Sequence, residues 1–518
     1  MNEMNLNQNN PSHNRMGGIL VHPTCFPSKY GIGDLGPELY NFIDFLHKYK
    51  QNLWQILPLG PTGYANSPYQ SFSSFAGNPL LISPEKLIDM DLISLEECEP
   101  TVTFPDSRVD FGKVIKYKWS LLEAAFNHFQ KDTVPSINQE FIIFFKAESF
   151  WLDDYSIFMS IKLANELKAW NEWEYDLRFH DPVAIKQWKE DHEFEVTFHK
   201  FTQFLFFKQW EEAKNYTNQK SIKIIGDLPI FVAYDSVDVW IHPEFYQLDD
   251  DRELLFVSGV PPDYFSSTGQ RWGNPLYNWE EIKKRDYKWW IQRIKHSFRM
   301  VDILRIDHFR GFESYWQIPA SEETAVRGEW KSGPGIDLFQ KLKQNLGDIA
   351  IIAEDLGLIT PEVEKLLQQT GYPGIRVLQF AFEGSPDPSK PSDPSEHKYL
   401  PHNYTQNSIV YTGTHDNQTT KSWFEGLSAK KKNNLIDYVN SFDDDMVGVL
   451  IRLIWGSVAN MAVIPLQDLL RLGDEARMNV PGKTENNWEW KFTWDQFNGT
   501  YNSNLAHISE IYGRISKI

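Results

Sequence analysis

Short apolar runs rich in β-branched residues recur along this chain, separated by stretches of helical period. Eight of them read as buried strands: Gly18–His22, Leu53–Leu57, Ile222–Leu228, Ile303–Asp307, Ala350–Glu354, Ile375–Phe380, Ile409–Thr412 and Met461–Pro465. Helical patterns follow most of them. Pro37–Tyr49 leads into the second strand, and Pro361–Gln369 opens on Thr360 and Pro361, a capping residue followed by the proline favoured at the first helical position. Alternating strand and helix predicts a parallel sheet, and eight repeats predict an α/β fold closed into a (β/α)8 TIM barrel.

Two spacings exceed a plain helical crossover: about 160 residues between strands two and three, and about 75 between strands three and four. Both follow the C-terminal tip of a strand, so both insertions should sit on the face where such barrels place their sites. The predicted organisation is a disordered lead over residues 1–16 and a catalytic barrel over 17–518. Within the barrel, one insertion covers 60–220 and another 231–300. The first carries the helical stretches Gln139–Ala164 and Phe194–Lys214. The second carries Gly259–Pro275 (GVPPDYFSSTGQRWGNP), whose glycine and proline density predicts a shaped lid loop. About 50 residues follow the eighth strand, enough for closing helices but not for a C-terminal β-sandwich. Pro386–Ser395 reads as an exposed loop.

Composition narrows the function. A net charge of −19 with scattered basic residues argues against nucleic acid and anionic membrane surfaces as partners. The polar Met1–Arg15 lacks the apolar core of a signal peptide, and no later run suffices to cross a bilayer. With only Cys25 and Cys98, a disulfide framework is excluded in practice, and a reducing cytoplasm is the expected compartment. The 19 tryptophans suit either a large aromatic core or a ligand with apolar faces and hydroxyl rims, such as a sugar.

Four of the apolar runs end in a carboxylate: Asp227 in IKIIGD, Asp307 in ILRID, Glu354 in AIIAE and Asp416 in SIVYTGTHD. Carboxylates at several strand tips of one barrel converge on one pocket. Arg305 and Asp307 alternate onto one side of their strand, which should lower the aspartate's pKa and leave it an ionised nucleophile. An internal salt bridge is the structural alternative for that pair. Glu354 ends the next strand, so its carboxyl can approach Asp307 to the 5–5.5 Å of a retaining glycosidase, as the proton donor. Its alternative is a turn cap. Asp416, with His415, could hold sugar hydroxyls and favour an oxocarbenium-like transition state; a turn aspartate is its alternative. Asp227, before Leu228 and Pro229, fits a structural or outer-pocket role. Adjacent His and Asp at strand tips also occur in metal-dependent barrels. The histidines here are few and sit singly, and Arg305 would repel a cation. No nucleophile elbow and no glycine-rich phosphate loop is present.

Several motifs occur in one order: HPT…YGIGDLG (His22–Gly36), WQILPLGPTGYANSPYQS (Trp54–Ser71), GDLPIFVAYDSVDVW (Gly226–Trp240), GVPPDYFSSTGQRWGNP, RIDHFRGFESYWQIP (Arg305–Pro319), AEDLG, TGTHDN and EARMNVPG (Glu475–Gly482). In this the chain resembles the 4-α-glucanotransferases, the amylomaltase or disproportionating-enzyme family, whose barrel is related to that of α-amylases. The resemblance implies Asp307 as nucleophile, Glu354 as general acid/base and Asp416 as the transition-state carboxylate. It implies Arg305, His308 and His415 around the sugar at the cleavage point, with Tyr69 as the platform beneath it and Ser67 close by. Tyr64 would meet glucan further out, Gln270 and Trp272 would belong to a loop folded over it, and Asp227 and Asn479 would line the pocket. The chain departs from the pattern at Cys25-Phe26-Pro27-Ser28-Lys29, at Gln418 in place of an acid and at Lys491 in place of an arginine.

The reaction expected is retaining transfer of α-1,4-glucan segments between malto-oligosaccharides through a covalent glycosyl-enzyme, with no cofactor and no metal. A hydrolase using the same acids is the nearest alternative, and a non-catalytic glucan-binding barrel is the alternative from another class. Oligomeric state is not encoded in any of these patterns.

Overall fold

The computed structural model describes residues 15–131, 135–262, 266–383 and 397–515. Its strands, in chain order, are β1 (Met16–Leu20), β2 (Leu53–Gln55), β3 (Lys223–Pro229), β4 (Phe256–Val260), β5 (Gln270–Pro275), β6 (Ile303–Asp307), β7 (Ser314–Pro319), β8 (Glu329–Ser332), β9 (Ile351–Ala353), β10 (Gly374–Val377), β11 (Ser408–Tyr411) and β12 (Met461–Pro465). Eight of them close into a barrel of order β1-β12-β11-β10-β9-β6-β3-β2. Every ladder is parallel, and β1 seals the ring by pairing with both β12 and β2. Each barrel strand falls on one of the eight apolar runs, because a strand buried on both faces needs an unbroken apolar stretch rather than an alternating one.

β1 starts two residues before the expected Gly18. Met16 pairs with Met461, and the Arg15 guanidinium donates to Trp455 O at 2.9 Å. The rest of the expected lead lies outside the described residues, as does Pro386–Ser395. Helix Pro361–Thr370 begins on the anticipated proline and ends at Gly371, whose φ of 70° turns the chain out of the helix.

Between β2 and β3 the chain is mostly helical, with long helices Phe111–Phe129, Pro135–Ala164 and Glu193–Gln219. These pack on the barrel through one aromatic-rich core that includes Trp54, Phe206 and Trp210. Gln203 of the last helix exchanges two hydrogen bonds with the backbone of Gly77, at 2.8 and 2.9 Å. That contact fixes the start of the insertion, which carries Tyr69.

The segment read as a lid loop contains strands. β4 and β5 form an antiparallel pair, extended by β7 and β8 into a four-stranded sheet of order β5-β4-β7-β8. Residues 263–265, at the turn between β4 and β5, lie outside the described residues. Gly259 is required there by close approach, since a Cβ on it would fall 2.2 Å from Gln270 O on the facing strand.

Candidate active site

Asp307, the last residue of β6, keeps 31% of its side chain exposed at the C-terminal mouth of the barrel. Arg305 lies two residues back on the same side and donates from Nη2 to Asp307 at 2.8 Å. Its other terminal nitrogen, Nη1, lies 2.6 Å from both oxygens of Asp227, the residue opposite it on β3. The Asp227 side chain is wholly buried. The salt bridge considered as the alternative therefore exists, but it is shared.

The lowered pKa expected for Asp307 is not what the site produces. Burial is the largest influence on its carboxyl and raises it to about 6; Arg305 pulls it down, and the second carboxylate on the same arginine opposes that pull. The open pocket mouth leaves water to soften the rise.

Glu354 follows β9 directly and is 8% exposed. Its amide donates to Ile306 O at 3.1 Å, which places it beside the end of β6. One carboxyl oxygen accepts the Leu356 N–H at 2.8 Å, the contact of a turn cap. The other accepts the His308 N–H at 2.7 Å, so the group lies against the peptide that follows Asp307. His308 presents that N–H from a left-handed conformation, φ 53° and ψ 48°. Burial first, and the charge of Asp307 second, raise the Glu354 carboxyl to about 8. The first proton bound by the two acids thus resides on Glu354, and Asp307 is the anion.

Tyr69 stands across the pocket on a turn shaped by Ala65 and Asn66, both in the left-handed region, with Ser67 Oγ accepting the Tyr69 N–H at 3.2 Å. Its hydroxyl donates to Asp227 at 2.7 Å and lies 2.9 Å from His415 Nε2. With its one proton used on Asp227, the phenol oxygen must accept from the histidine, so His415 carries a proton on Nε2. That nitrogen is also 3.3 Å from Asp416, whose other oxygen accepts from Asn479 Nδ2 at 2.6 Å. Tyr69 and His415 are stacked at 5.4 Å. His308 meets the ring of Trp272 edge-on at 4.7 Å, and Trp272 Nε1 donates to the exposed Gln270 side chain at 3.1 Å.

The arrangement brings Asp307, Glu354, Asp416, Asp227, Arg305, His308, His415, Tyr69, Trp272 and Asn479 into one connected cluster. Ser67 supports it from the turn, and Gln270 sits at its rim. Tyr64 is 74% exposed. Two residues escaped the sequence reading. Trp488 packs on both Tyr69 and His415, at 5.8 and 6.1 Å, from a left-handed backbone with φ 66°. Arg477 donates to the main-chain oxygens of Asp416 and Asn479. The run of tryptophans from 488 to 494 was the available signal for the first; the second lies within the motif EARMNVPG, which marks the segment without singling out the arginine. Among the described residues, no group of three or more His, Cys, Asp or Glu side chains is arranged to hold a metal ion.

Similarity to known proteins extends over nearly the whole chain. A family model described as 4-alpha-glucanotransferase matches residues 21–496. A 4-alpha-glucanotransferase from Synechocystis is 47% identical over 96% of this chain and 98% of its own. One from Thermus thermophilus is 44% identical over 97% and 99%. Among solved structures, the amylomaltase from Streptococcus agalactiae in complex with acarbose superposes with a TM-score of 0.92 at 38% identity, covering 97% of this chain and all of that one. A buried, raised carboxyl and an arginine-held carboxylate stand together at the mouth of a closed barrel, and with this likeness running nearly end to end the chain belongs to the 4-α-glucanotransferase family.

Proposed function

We propose that the protein transfers α-1,4-glucan segments between malto-oligosaccharides by two displacements at one pair of carboxyl groups. Asp307 attacks the anomeric carbon of the donor. Glu354 protonates the glycosidic oxygen as it leaves, and the glucan is held as an ester of Asp307. The 4-hydroxyl of a second glucan then attacks the same carbon, gives its proton to Glu354 and frees Asp307. Two inversions restore the α configuration.

The single observation that carries this reading is the contrast between the two acids. Glu354 is buried, anchored on the His308 amide and raised to about 8, whereas Asp307 is ion-paired and open to the pocket. Pairs of titratable groups with pKa values pushed apart are the mark of an acid and its partner. Asp416, oriented by His415 and Asn479, faces the positive charge that develops on the ring. Tyr69 supplies the aromatic platform, with Ser67 behind it. Asp227 acts indirectly, by holding Arg305 and the Tyr69 hydroxyl. His308 borders the sugar at the cleavage point, Trp272 and Gln270 belong to the segment over bound glucan, and Tyr64 meets longer chains at the rim.

Family membership favours transfer over hydrolysis. None of the steps calls for a metal or an organic cofactor. No described helix is long and apolar enough to cross a membrane, and the two cysteines are free and buried, which suits a cytoplasmic setting.

Incubation with maltotriose tests the reaction. Glucose together with oligosaccharides longer than the trimer is the expected product pattern; exclusively shorter products would leave hydrolysis. Asp307→Ala should remove turnover while the thermal transition stays within a few degrees of the parent.

A further inference from the structure

Asp416 sits beyond the end of β11, in the loop that leads to helix Thr420–Gly426, with 45% of its side chain exposed. A carboxylate so placed needs an anchor from elsewhere in the chain. The anchor is residues 474–479, which follow β12. Asp474 accepts the Thr419 N–H at 3.0 Å and the Gln418 amide at 2.8 Å. The Asn479 N–H donates to His415 O at 3.2 Å, while its side-chain amide holds the Asp416 carboxylate. Between these contacts lies Arg477. Its Nη2 donates to Asp416 O at 2.6 Å and its Nε to Asn479 O at 2.8 Å.

We propose that Arg477 is a positioning residue for the reaction. Its guanidinium clamps the backbone of Asp416 to that of Asn479, and so fixes together the carboxylate and the amide that orients it. The proposal rests on the reading of Asp416 as the carboxylate facing the transition state. An arginine suits the task because Nε and Nη2 are two donors in one rigid plane, able to hold two carbonyls at a fixed separation; a lysine offers one flexible point. Both bonds go to main-chain oxygens, so the residue acts through Asp416 and Asn479. Arg477 also borders a small pocket of about 20 Å³, shared with His22, Gln467, Met478 and Trp490. Arg477 is only partly buried, so its truncation takes the common support from the two loops without emptying a site in the core.

The test is steady-state transfer by the full chain, with maltotriose for active variants and α-maltosyl fluoride for slow ones. Arg477→Ala should lower kcat about tenfold or more, since displacements near 1 Å carry losses of that order, with KM changed less than about threefold. Arg477→Lys should recover part of the loss. In an Asp416→Asn background the alanine change should lower kcat less than about twofold, because the group it positions is already gone. A folded Arg477→Ala with the parent's kcat would overturn the proposal, and so would an equal loss in both backgrounds. If the alanine variant does not fold, the lysine variant decides: reduced kcat at unchanged KM supports the clamp, and parental kcat refutes it. Undiminished kcat in Asp416→Asn alone would instead sink the reading of Asp416 on which the clamp rests.

Discussion

Both oxygens of the Glu354 carboxyl accept main-chain N–H groups, from His308 and Leu356, and such bonds favour the anion. Burial and the charge of Asp307 outweigh them and lift the group from 4.5 to about 8. Across that window the folded chain binds a proton that the unfolded chain has released. The stability contributed by Glu354 is therefore full below about 4.5 and is lost as pH rises toward 8. Glu354→Gln removes the titration, although its amide nitrogen cannot accept one of the two N–H groups and carries a fixed penalty for that. The Tm of the variant relative to the parent should rise between pH 5 and pH 8, by on the order of a degree or more; a difference that does not change with pH would contradict the assignment. On the role proposed for Glu354 the same titration governs the basic limb of activity, so transfer from maltotriose should decline as pH passes about 8. Fluoride release from α-maltosyl fluoride, whose leaving group needs no proton, should lose that decline in Glu354→Gln. The acids themselves are legible in the sequence, because each closes an apolar run and strand alternation aligns Arg305 with Asp307. What alternation does not reveal is the competitor: Asp227 faces Arg305 across the β3–β6 ladder, and the register between strands sets that contact. Arg477 is hidden for a similar reason, since its partners are carbonyl oxygens contributed by a distant loop and by its own chain two residues on.

At the scale of elements, the eight barrel strands are legible because they are the most regular feature of the chain, uninterrupted apolar runs between amphipathic helices. The small sheet is not, and its composition explains why. β4 and β5 hold Gly259, Gly273 and Pro275, residues that local propensity assigns to loops, and the pairing shifts register between Val257 and Gly259. Here cross-strand packing decides the structure against local preference. A Cβ at position 259 would meet Gln270 O at 2.2 Å and the Ile318 side chain at 2.6 Å, so Gly259→Ala must push β5 away from β4. β5 carries Gln270 and Trp272, and Trp272 packs edge-on against His308 beside the acid. The expected result is a loss of about 1–3 kcal/mol in stability together with a severalfold rise in KM for maltotriose. An unchanged KM in a variant that has lost stability would show that Trp272 does not depend on the β4–β5 register.

Across the whole molecule, the helical insertion must stay seated on the barrel for Tyr69 to face Asp307, and buried polar contacts contribute to that seating. Lys118, on helix Phe111–Phe129, reaches Asp34 at 3.0 Å and Ile82 O at 2.8 Å. The two side chains are 1% and 6% exposed. Asp34 belongs to the loop between β1 and helix Pro37–Lys48 and also accepts the Gly36 N–H at 3.0 Å, so the pair ties insertion to barrel. Burial raises the Asp34 carboxyl to about 6 even against the pull of Lys118. Breaking one side of such a pair is worse than removing both, because the remaining charge stays desolvated. Lys118→Met should therefore destabilise the protein by about 3–5 kcal/mol at pH 8. Without the lysine the aspartate's pKa rises further. The folded variant then holds a proton that the unfolded chain binds only near pH 4, and its deficit should shrink as pH falls toward 5. Asp34→Asn combined with Lys118→Met keeps the acceptor for Gly36 and removes both charges, so it should recover most of the loss at pH 8. Thermal unfolding of the three forms at pH 5 and pH 8 measures both effects. A deficit that is the same at both pH values, or a double variant no more stable than the single one, would mean that the Lys118–Asp34 charges do not act as a pair in seating the insertion.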